Sequence, residues 1–203
     1  MIKEVPHFNE YLDLEDDPKI FKLFLAGTCS DFTEDWQRII IEKIKEKSDN
    51  NKFLSNRTIV IYNPRNISQD YKYGYEELID WDNKKMLNSD LIITYFDPNT
   101  TNKISMFEFG FNLGRYFYDE YGKSTNIKAF APISDNEEFN DSLEKLYWYT
   151  YEKELNYNSE VLKTNNFIFR DVTFDDIVDN ILVDWEQFEH RWDIWTHKTT
   201  KGE

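Results

Sequence analysis

The sequence predicts an α/β fold, a parallel sheet with helices packed on both faces. Two observations carry that expectation. Short runs of apolar, β-branched and aromatic residues, such as Leu91-Ile92-Ile93-Thr94-Tyr95-Phe96, alternate along the chain with stretches of helical periodicity. Each run is then cut off by turn-forming residues, here Asp97-Pro98-Asn99-Thr100-Thr101-Asn102, before a helix begins.

Phe21-Lys22-Leu23-Phe24-Leu25-Ala26 is the first expected strand, and it ends in Gly27-Thr28-Cys29-Ser30. Asp31 with Glu34 three residues on is a capping-box signature, and the helix behind it puts Trp36, Ile39, Ile40 and Ile44 on one face. Thr58-Ile59-Val60-Ile61-Tyr62 is the second strand, stopped by Asn63-Pro64-Arg65. A polar, tyrosine-rich loop over 66–76 leads into a helix from Glu76 to Asn88, and Leu91–Phe96 is the third strand. Ser105 opens the next helix, which runs to Tyr121. Ile127–Ala131 is the fourth strand, followed by a helix from Asn136 to Leu155 carrying Leu143, Leu146 and Tyr147. Phe167-Ile168-Phe169 is the fifth, and Phe174, Ile177, Ile181, Leu182 and Trp185 mark the last helix.

Five strands in this alternation imply a single-domain, flavodoxin- or Rossmann-like three-layer sandwich with strand order 2-1-3-4-5. The domain is expected over residues 21–195, with an N-terminal arm over 1–20 and a C-terminal tail over 196–203. In that order the loops after the first and third strands are neighbours at the carboxyl edge of the sheet, where ligands of open α/β sheets bind. Gly27–Ser30 and Asp97–Glu108 are therefore expected to share one cleft.

Composition narrows the partners. At 203 residues, 40% of them hydrophobic and 17% aromatic, the chain can bury one substantial core. A net charge of −15 opposes nucleic-acid polymers and anionic membranes, since no basic stripe is present to neutralise phosphates. The acidic N-terminus has no apolar signal core, no run reaches membrane-span length, and the single cysteine, Cys29, suits a reducing compartment, so the expected location is the cytoplasm.

Two carboxylates frame the third strand: Asp82 before it and Glu108 after its loop. Glu108 has two readings. Ser105-x-x-Glu108 is itself a capping box, in which the glutamate only satisfies its own helix. A carboxylate in the first helical turn is also held ionised by the macrodipole, a useful state for a nucleophile. Gly110 and Gly114 would let that helix approach the sheet closely. Asp82 is either a solvated helix acid or the partner of Glu108 in glycosidic chemistry, one carboxylate attacking an anomeric carbon and the other managing the leaving group's proton. Arg65 either binds a phosphate or orients a carboxylate, or is a surface arginine after a turn. Cys29 has no partner base close in sequence, the histidines being His7, His190 and His197, so thiol catalysis is disfavoured. No metal-ligand spacing and no glycine-rich phosphate cradle of the G-x-G-x-x-G or G-x-x-x-x-G-K-[ST] kind occurs, and no cofactor is expected.

A set of pieces in order, Phe24-Leu25-Ala26-Gly27, Asp35-Trp36-Gln37, Asn63-Pro64-Arg65, Trp81-Asp82, Ser89-Asp90-Leu91-Ile92-Ile93 and Ile104-Ser105-Met106-Phe107-Glu108-Phe109-Gly110, resembles the nucleoside 2-deoxyribosyltransferase family, in particular its deoxyribosyltransferase-like branch. The resemblance covers residues 21–131. It implies a retaining double displacement: Glu108 attacks the anomeric carbon of a 2′-deoxynucleoside, Asp82 helps protonate the departing base, and a second base takes the sugar. It further implies substrate contacts from Gly27, Thr28, Asn63, Arg65, Trp81, Asp97 and Asn102. The partners implied are a nucleoside or nucleotide, a free nucleobase, and other copies of the chain in a homo-oligomer; Trp185, Trp192 and Trp195 are aromatics either for such an interface or for closing the domain's own core. Two positions depart from the family pattern. A family aspartate falls on Asn102, and a first-strand tyrosine falls on Leu23. An N-glycosidase that passes the sugar to water, and a non-catalytic nucleotide-binding module, are the alternatives.

Overall fold

A computed structural model describes residues 1–6, 20–29, 34–49, 51, 54, 57–65, 74–118, 126–156 and 167–199, with the backbone alone at 75, 115–118, 148–156 and 189–199. Strands β1 (Ile2–Pro6), β2 (Ile20–Gly27), β3 (Thr58–Asn63), β4 (Leu91–Tyr95), β5 (Asn126–Ala131) and β6 (Ile168–Arg170) form one sheet. Its order is β1-β3-β2-β4-β5-β6, and every pairing is parallel. Helices α1 (Trp36–Asp49), α2 (Tyr75–Leu87), α3 (Lys103–Tyr118), α4 (Glu137–Asn156) and α5 (Phe174–Thr199) connect or follow the strands.

The sheet has six strands rather than the expected five, while β3-β2-β4-β5-β6 reproduces the order anticipated for those five. The extra strand lies in the segment taken for an arm. Ile2–Pro6 pairs with β3 in register Ile2↔Ile59 to Pro6↔Asn63, and only Val5 of it is fully buried. Lys3, Glu4 and the closing Pro6 are edge-strand devices that keep a further chain from adding on. Residues 7–19 of that segment lie outside the described residues.

Period-two alternation sends side chains to two cores. Phe21, Leu23 and Leu25 of β2 pack with Ile59 and Ile61, with Trp36, Ile40, Ile41 and Ile44 of α1, and with Ile177, Ile181 and Trp185 of α5. Phe24 and Ala26 turn to the opposite face and meet Val60, Tyr62, Ile92, Met86 of α2, Phe109 and Leu113 of α3, and Phe139 and Leu143 of α4. Three layers result, with α1 and α5 on one side and α2, α3 and α4 on the other. Each fully buried Ile or Phe contributes roughly 1.5–3 kcal/mol to holding the layers together. Trp185 belongs to the first core and Arg57 Nη1 donates to its carbonyl at 3.3 Å, so it is not an interface aromatic; the side chains of Trp192 and Trp195 lie outside the described residues.

Caps set the helix starts. Asp35 accepts from Arg38 N at 3.1 Å and opens α1 at Trp36. The expected box on Asp31 lies outside the described residues. Asn136 accepts from Phe139 N at 3.1 Å at the head of α4, and Thr173 and Asp176 exchange bonds of 2.7 and 3.3 Å at the head of α5. Between β5 and α5, the half-buried Lys128 ammonium meets Asp184 at 2.6 Å, and Asn126 donates to the same carboxylate at 2.7 Å. No described helix is long and apolar enough to cross a membrane.

Candidate active site

The carboxyl edge of β2, β3 and β4 supplies three loops, and two helix positions complete the crevice. β2 ends at Gly27, whose φ of +132° suits glycine. A Cβ there would lie 2.4 Å from the Tyr95 carbonyl oxygen and 3.2 Å from the Trp36 ring, so the backbone of β2 runs against β4 with no room for a side chain. Trp36 Nε1 donates to Thr28 O at 3.0 Å and Gln37 Nε2 donates to Cys29 Sγ at 3.0 Å, which ties the loop after β2 to the head of α1. Gln37 Oε1 is buried without a hydrogen-bond partner.

The loops after β2 and β4 are joined, as their neighbourhood at the switch point required. Thr28 Oγ1 lies 3.2 Å from both Thr100 Oγ1 and Asn102 Oδ1. Asn102 is the clamp. Its Oδ1 also accepts from Asp97 N at 3.0 Å, while Nδ2 donates to Asp97 O and to Thr100 O. Both ends of the amide are therefore used inside the loop, and the φ of 49° is one that asparagine tolerates. An aspartate could not donate to those two carbonyls. Asp97 is buried and accepts from Asn99 N at 2.8 Å, closing the same turn.

After β3, Asn63 Oδ1 accepts from Arg65 N at 3.0 Å and Asn63 Nδ2 donates to Glu4 at 2.9 Å. The Arg65 side chain turns to the head of α1. Its Nη2 donates to Glu34 O at 3.2 Å and its Nε stands 3.3 Å from Asp35. Leu23, one of the two departures from the family pattern, packs in the core on the α1–α5 face, away from α2 and α3.

α2 and α3 bring the carboxylates. Trp81 packs against Phe24 at 6.2 Å and edge-on to Tyr62 at 6.3 Å between ring centres, which sets α2 over the ends of β2 and β3 and holds Asp82 there. α3 opens at Lys103, where Met106 N donates to Asn102 O at 2.8 Å. Ser105 therefore lies inside the first turn and Glu108 one turn further on. The capping-box reading of this pair fails, because the helix starts ahead of Ser105. Glu108 is also beyond reach of the unpaired N–H groups that would hold it ionised. The opposite happens: its carboxyl is pushed up to about 7, by burial first and then by the charge of Asp82.

The same charges reach the thiol. Although Cys29 keeps an exposed edge, its pKa is pushed up to about 12, by desolvation first, with Asp82 and Glu108 adding to the rise and Arg65 and Gln37 opposing it. Arg65, Asp82 and Glu108 thus all act on Cys29, and Asp82 acts on Glu108, and the thiol is held protonated, unfit as a nucleophile at neutral pH. Tyr95, at the end of β4, is likewise pushed up to about 12 by burial, then by Asp97 and Glu34. Among the described residues no group of three or more His, Cys, Asp or Glu is placed to hold a metal ion.

Sequence reasoning missed what Trp36, Gln37 and Asp35 do, although Asp35-Trp36-Gln37 stood among the motif pieces: these residues anchor the loop after β2 and the Arg65 guanidinium. The two glycines after Glu108 also differ from expectation. A Cβ on Gly110 or Gly114 would meet nothing within 4 Å, so neither serves a close approach to the sheet.

Comparison with known proteins bears on this geometry. No curated protein matches the chain. Among solved structures, a conserved protein from Enterococcus faecalis V583 is 18% identical, with a TM-score of 0.46 over 80% of this chain and 97% of that one. Residues 20–116 match the family model described as "Nucleoside 2-deoxyribosyltransferase like", a span that runs from β2 through Glu108 and contains Asp82, Arg65 and the clamped loop. The resemblance is thereby shown: over residues 20–116 the chain is similar to the family described as nucleoside 2-deoxyribosyltransferase like.

Proposed function

We propose that the protein is an N-glycosidic-bond enzyme of the cytoplasm that takes a 2′-deoxynucleoside, forms a covalent deoxyribosyl ester on Glu108, and transfers the sugar to a second nucleobase. Residues 21–195 are the unit that carries the reaction. The observation that carries the reading is the pairing of Glu108 with Asp82 across one crevice, inside the stretch that matches the family.

The Glu108 carboxylate attacks the anomeric carbon as the bond from that carbon to the base nitrogen breaks. The electron pair leaves with the base, and Asp82 supplies the proton that neutralises it. A nitrogen of the incoming base then attacks the same carbon and gives up its proton to Asp82, the ester bond breaks, and the pair returns to Glu108. Two inversions give net retention. A carboxyl balanced near pH 7 is ionised in a large fraction of molecules at neutrality and is still a better leaving group than any amide or alkoxide. Gly27, Thr28, Asn63, Trp81 and Asp97 line or shape the crevice. Asn102 contributes by holding the loop and the Thr28 hydroxyl, and Arg65 by fixing the head of α1, rather than by meeting the sugar through a charge. The protein works as a homo-oligomer with small molecules, a nucleoside or nucleotide and a free base, as its partners.

A second reading, a binding module without turnover, is favoured by Asn102, whose amide is committed to the loop where the family carries an aspartate. Incubating the protein with each 2′-deoxynucleoside and a different free base, with chromatographic detection, separates the readings. A new deoxynucleoside establishes transfer, and free deoxyribose without exchange makes the protein a hydrolase. Silence across nucleosides and their 5′-monophosphates, with ligand binding that survives Glu108→Ala, refutes catalysis.

A further inference from the structure

A charge on an edge strand ordinarily needs no further account, since it keeps other chains from adding on. Glu4 does more. Alternation along β1 sends Val5 to the core under α2, α3 and α4 and Ile2 to the core under α1 and α5, so Glu4 stands half-buried on the α1 side of the sheet. There it accepts from Asn63 Nδ2 at 2.9 Å, while Asn63 Oδ1 accepts from Arg65 N at 3.0 Å. Asn63 is 2% exposed, so water does not stand in for either bond. An amide that lost the Glu4 acceptor would keep a buried, unpaired donor and would turn to satisfy it, letting go of Arg65 N.

We propose that Glu4 is a positioning residue for the crevice: through Asn63 it fixes the turn after β3, and so keeps the Arg65 guanidinium over the head of α1 and the Thr28–Cys29 loop in place. The bonds run without a gap. Arg65 Nη2 donates to Glu34 O at 3.2 Å and its Nε stands 3.3 Å from Asp35, which caps α1 by accepting from Arg38 N. The next two residues, Trp36 and Gln37, donate to Thr28 O and Cys29 Sγ, both at 3.0 Å. Beside the burial that raises the Cys29 thiol, the Arg65 charge pulls it down, so the place of Arg65 is felt there directly as well. Glu4 acts through Asn63 and not on substrate; Glu108 and Asp82 ride on α3 and α2, across the sheet. β1 also lies outside residues 20–116, so the family-like span draws this support from a segment it does not include. The inference rests on the proposed function only for what the crevice is used to do.

Cys29, the single cysteine, reports on the loop without any turnover. Alkylation of the full chain by iodoacetamide at pH 8.5 is followed by mass spectrometry for the parent, Glu4→Ala, Glu4→Gln, Asn63→Asp and Lys3→Ala, with circular dichroism as the check on folding. Burial is the largest cause holding the thiol at about 12, so a loop set loose reacts faster even though Arg65 moves off. A tenfold rise needs the thiol to come only a third of the way back to its ordinary 9.0. Glu4→Ala should therefore alkylate about tenfold faster or more, and so should Asn63→Asp, which sets a second carboxylate against Glu4. Glu4→Gln keeps an acceptor for Asn63 Nδ2, and Lys3 is exposed on the same strand, so both of those variants should stay within about twofold of the parent. Glu4→Ala at the parent rate overturns the proposal. So does Glu4→Gln or Lys3→Ala reacting as fast as Glu4→Ala, because the charge or the strand, and not the bond, would then govern the loop. Should Glu4→Ala fail to fold, Asn63→Asp decides in the same way. With a 2′-deoxynucleoside that the parent turns over, Glu4→Ala should raise KM about fivefold or more and leave kcat within about twofold, with Glu4→Gln restoring KM. A parent without turnover ends the catalytic reading and leaves the alkylation result to decide the role of Glu4.

Discussion

Substituting Glu108 by glutamine removes an ionisable group that the folded chain holds largely neutral well above the ordinary carboxyl range. In the unfolded chain this carboxyl ionises near 4.5, and in the fold near 7. Below about 4.5 both states are protonated and the group has no pH-linked effect. Between the two values the unfolded chain sheds a proton that the folded chain keeps, so stability falls as pH rises, and above about 7 the whole cost is present. At ~1.4 kcal/mol per tenfold change in proton affinity, that cost is roughly 3 kcal/mol. Glutamine has nearly the same shape and no charge to desolvate, so Glu108→Gln should be more stable than the parent by up to about 3 kcal/mol at pH 8.5 and near parity at pH 4.5. Urea denaturation of both proteins at the two pH values measures the difference directly. A variant whose stability relative to the parent does not grow with pH refutes the desolvated, Asp82-facing setting assigned to Glu108.

Three other outcomes follow from the site. If the Glu108 carboxylate attacks, kcat/KM should rise with pH through about 7, and Asp82→Asn should move that limb to lower pH, because Asp82 pushes Glu108 upward; a limb that stays in place contradicts the coupling. Asn102→Asp should cost about 2–3 kcal/mol in thermal or urea unfolding, since two carbonyls lose their donors and face a carboxylate instead. Gly27→Ala should cost about 3 kcal/mol or abolish soluble expression, because the methyl meets Tyr95 O and the backbone is strained for alanine; a stable Gly27→Ala protein would contradict the close approach of β2 and β4.

The parallel sheet was legible because its central strands are buried on both faces. Phe21–Ala26 and Leu91–Tyr95 must read as continuous apolar runs when no face meets water, and they do. Ile2-Lys3-Glu4-Val5-Pro6 was not legible as a strand for the converse reason: an edge strand exposes most of its residues, so charge and proline mask the pattern. The cleft followed from topology once the strand order was set. Its chemistry did not, because the Ser105–Glu108 spacing fits a cap as well as a site, and only the start of α3 at Lys103 separates the two. The state of Glu108 was expected with the opposite sign: a helix dipole acts over the first turn, whereas burial and Asp82 act where the side chain ends. Asn102 as a clamp, and Gly110 and Gly114 as outward positions, depend on directions in space that spacing in the chain does not encode.

The most direct test of the central claim is the mass of Glu108 during turnover. The protein would be mixed with a 2′-deoxynucleoside, quenched in acid, and mapped by peptide mass spectrometry, with Glu108→Gln treated alongside. The account predicts one deoxyribosyl group, esterified to the peptide that carries Glu108, appearing with the released base and absent from the variant. Base release with no adduct on Glu108, an adduct on another residue such as Asp82, or undiminished release by Glu108→Gln would contradict it.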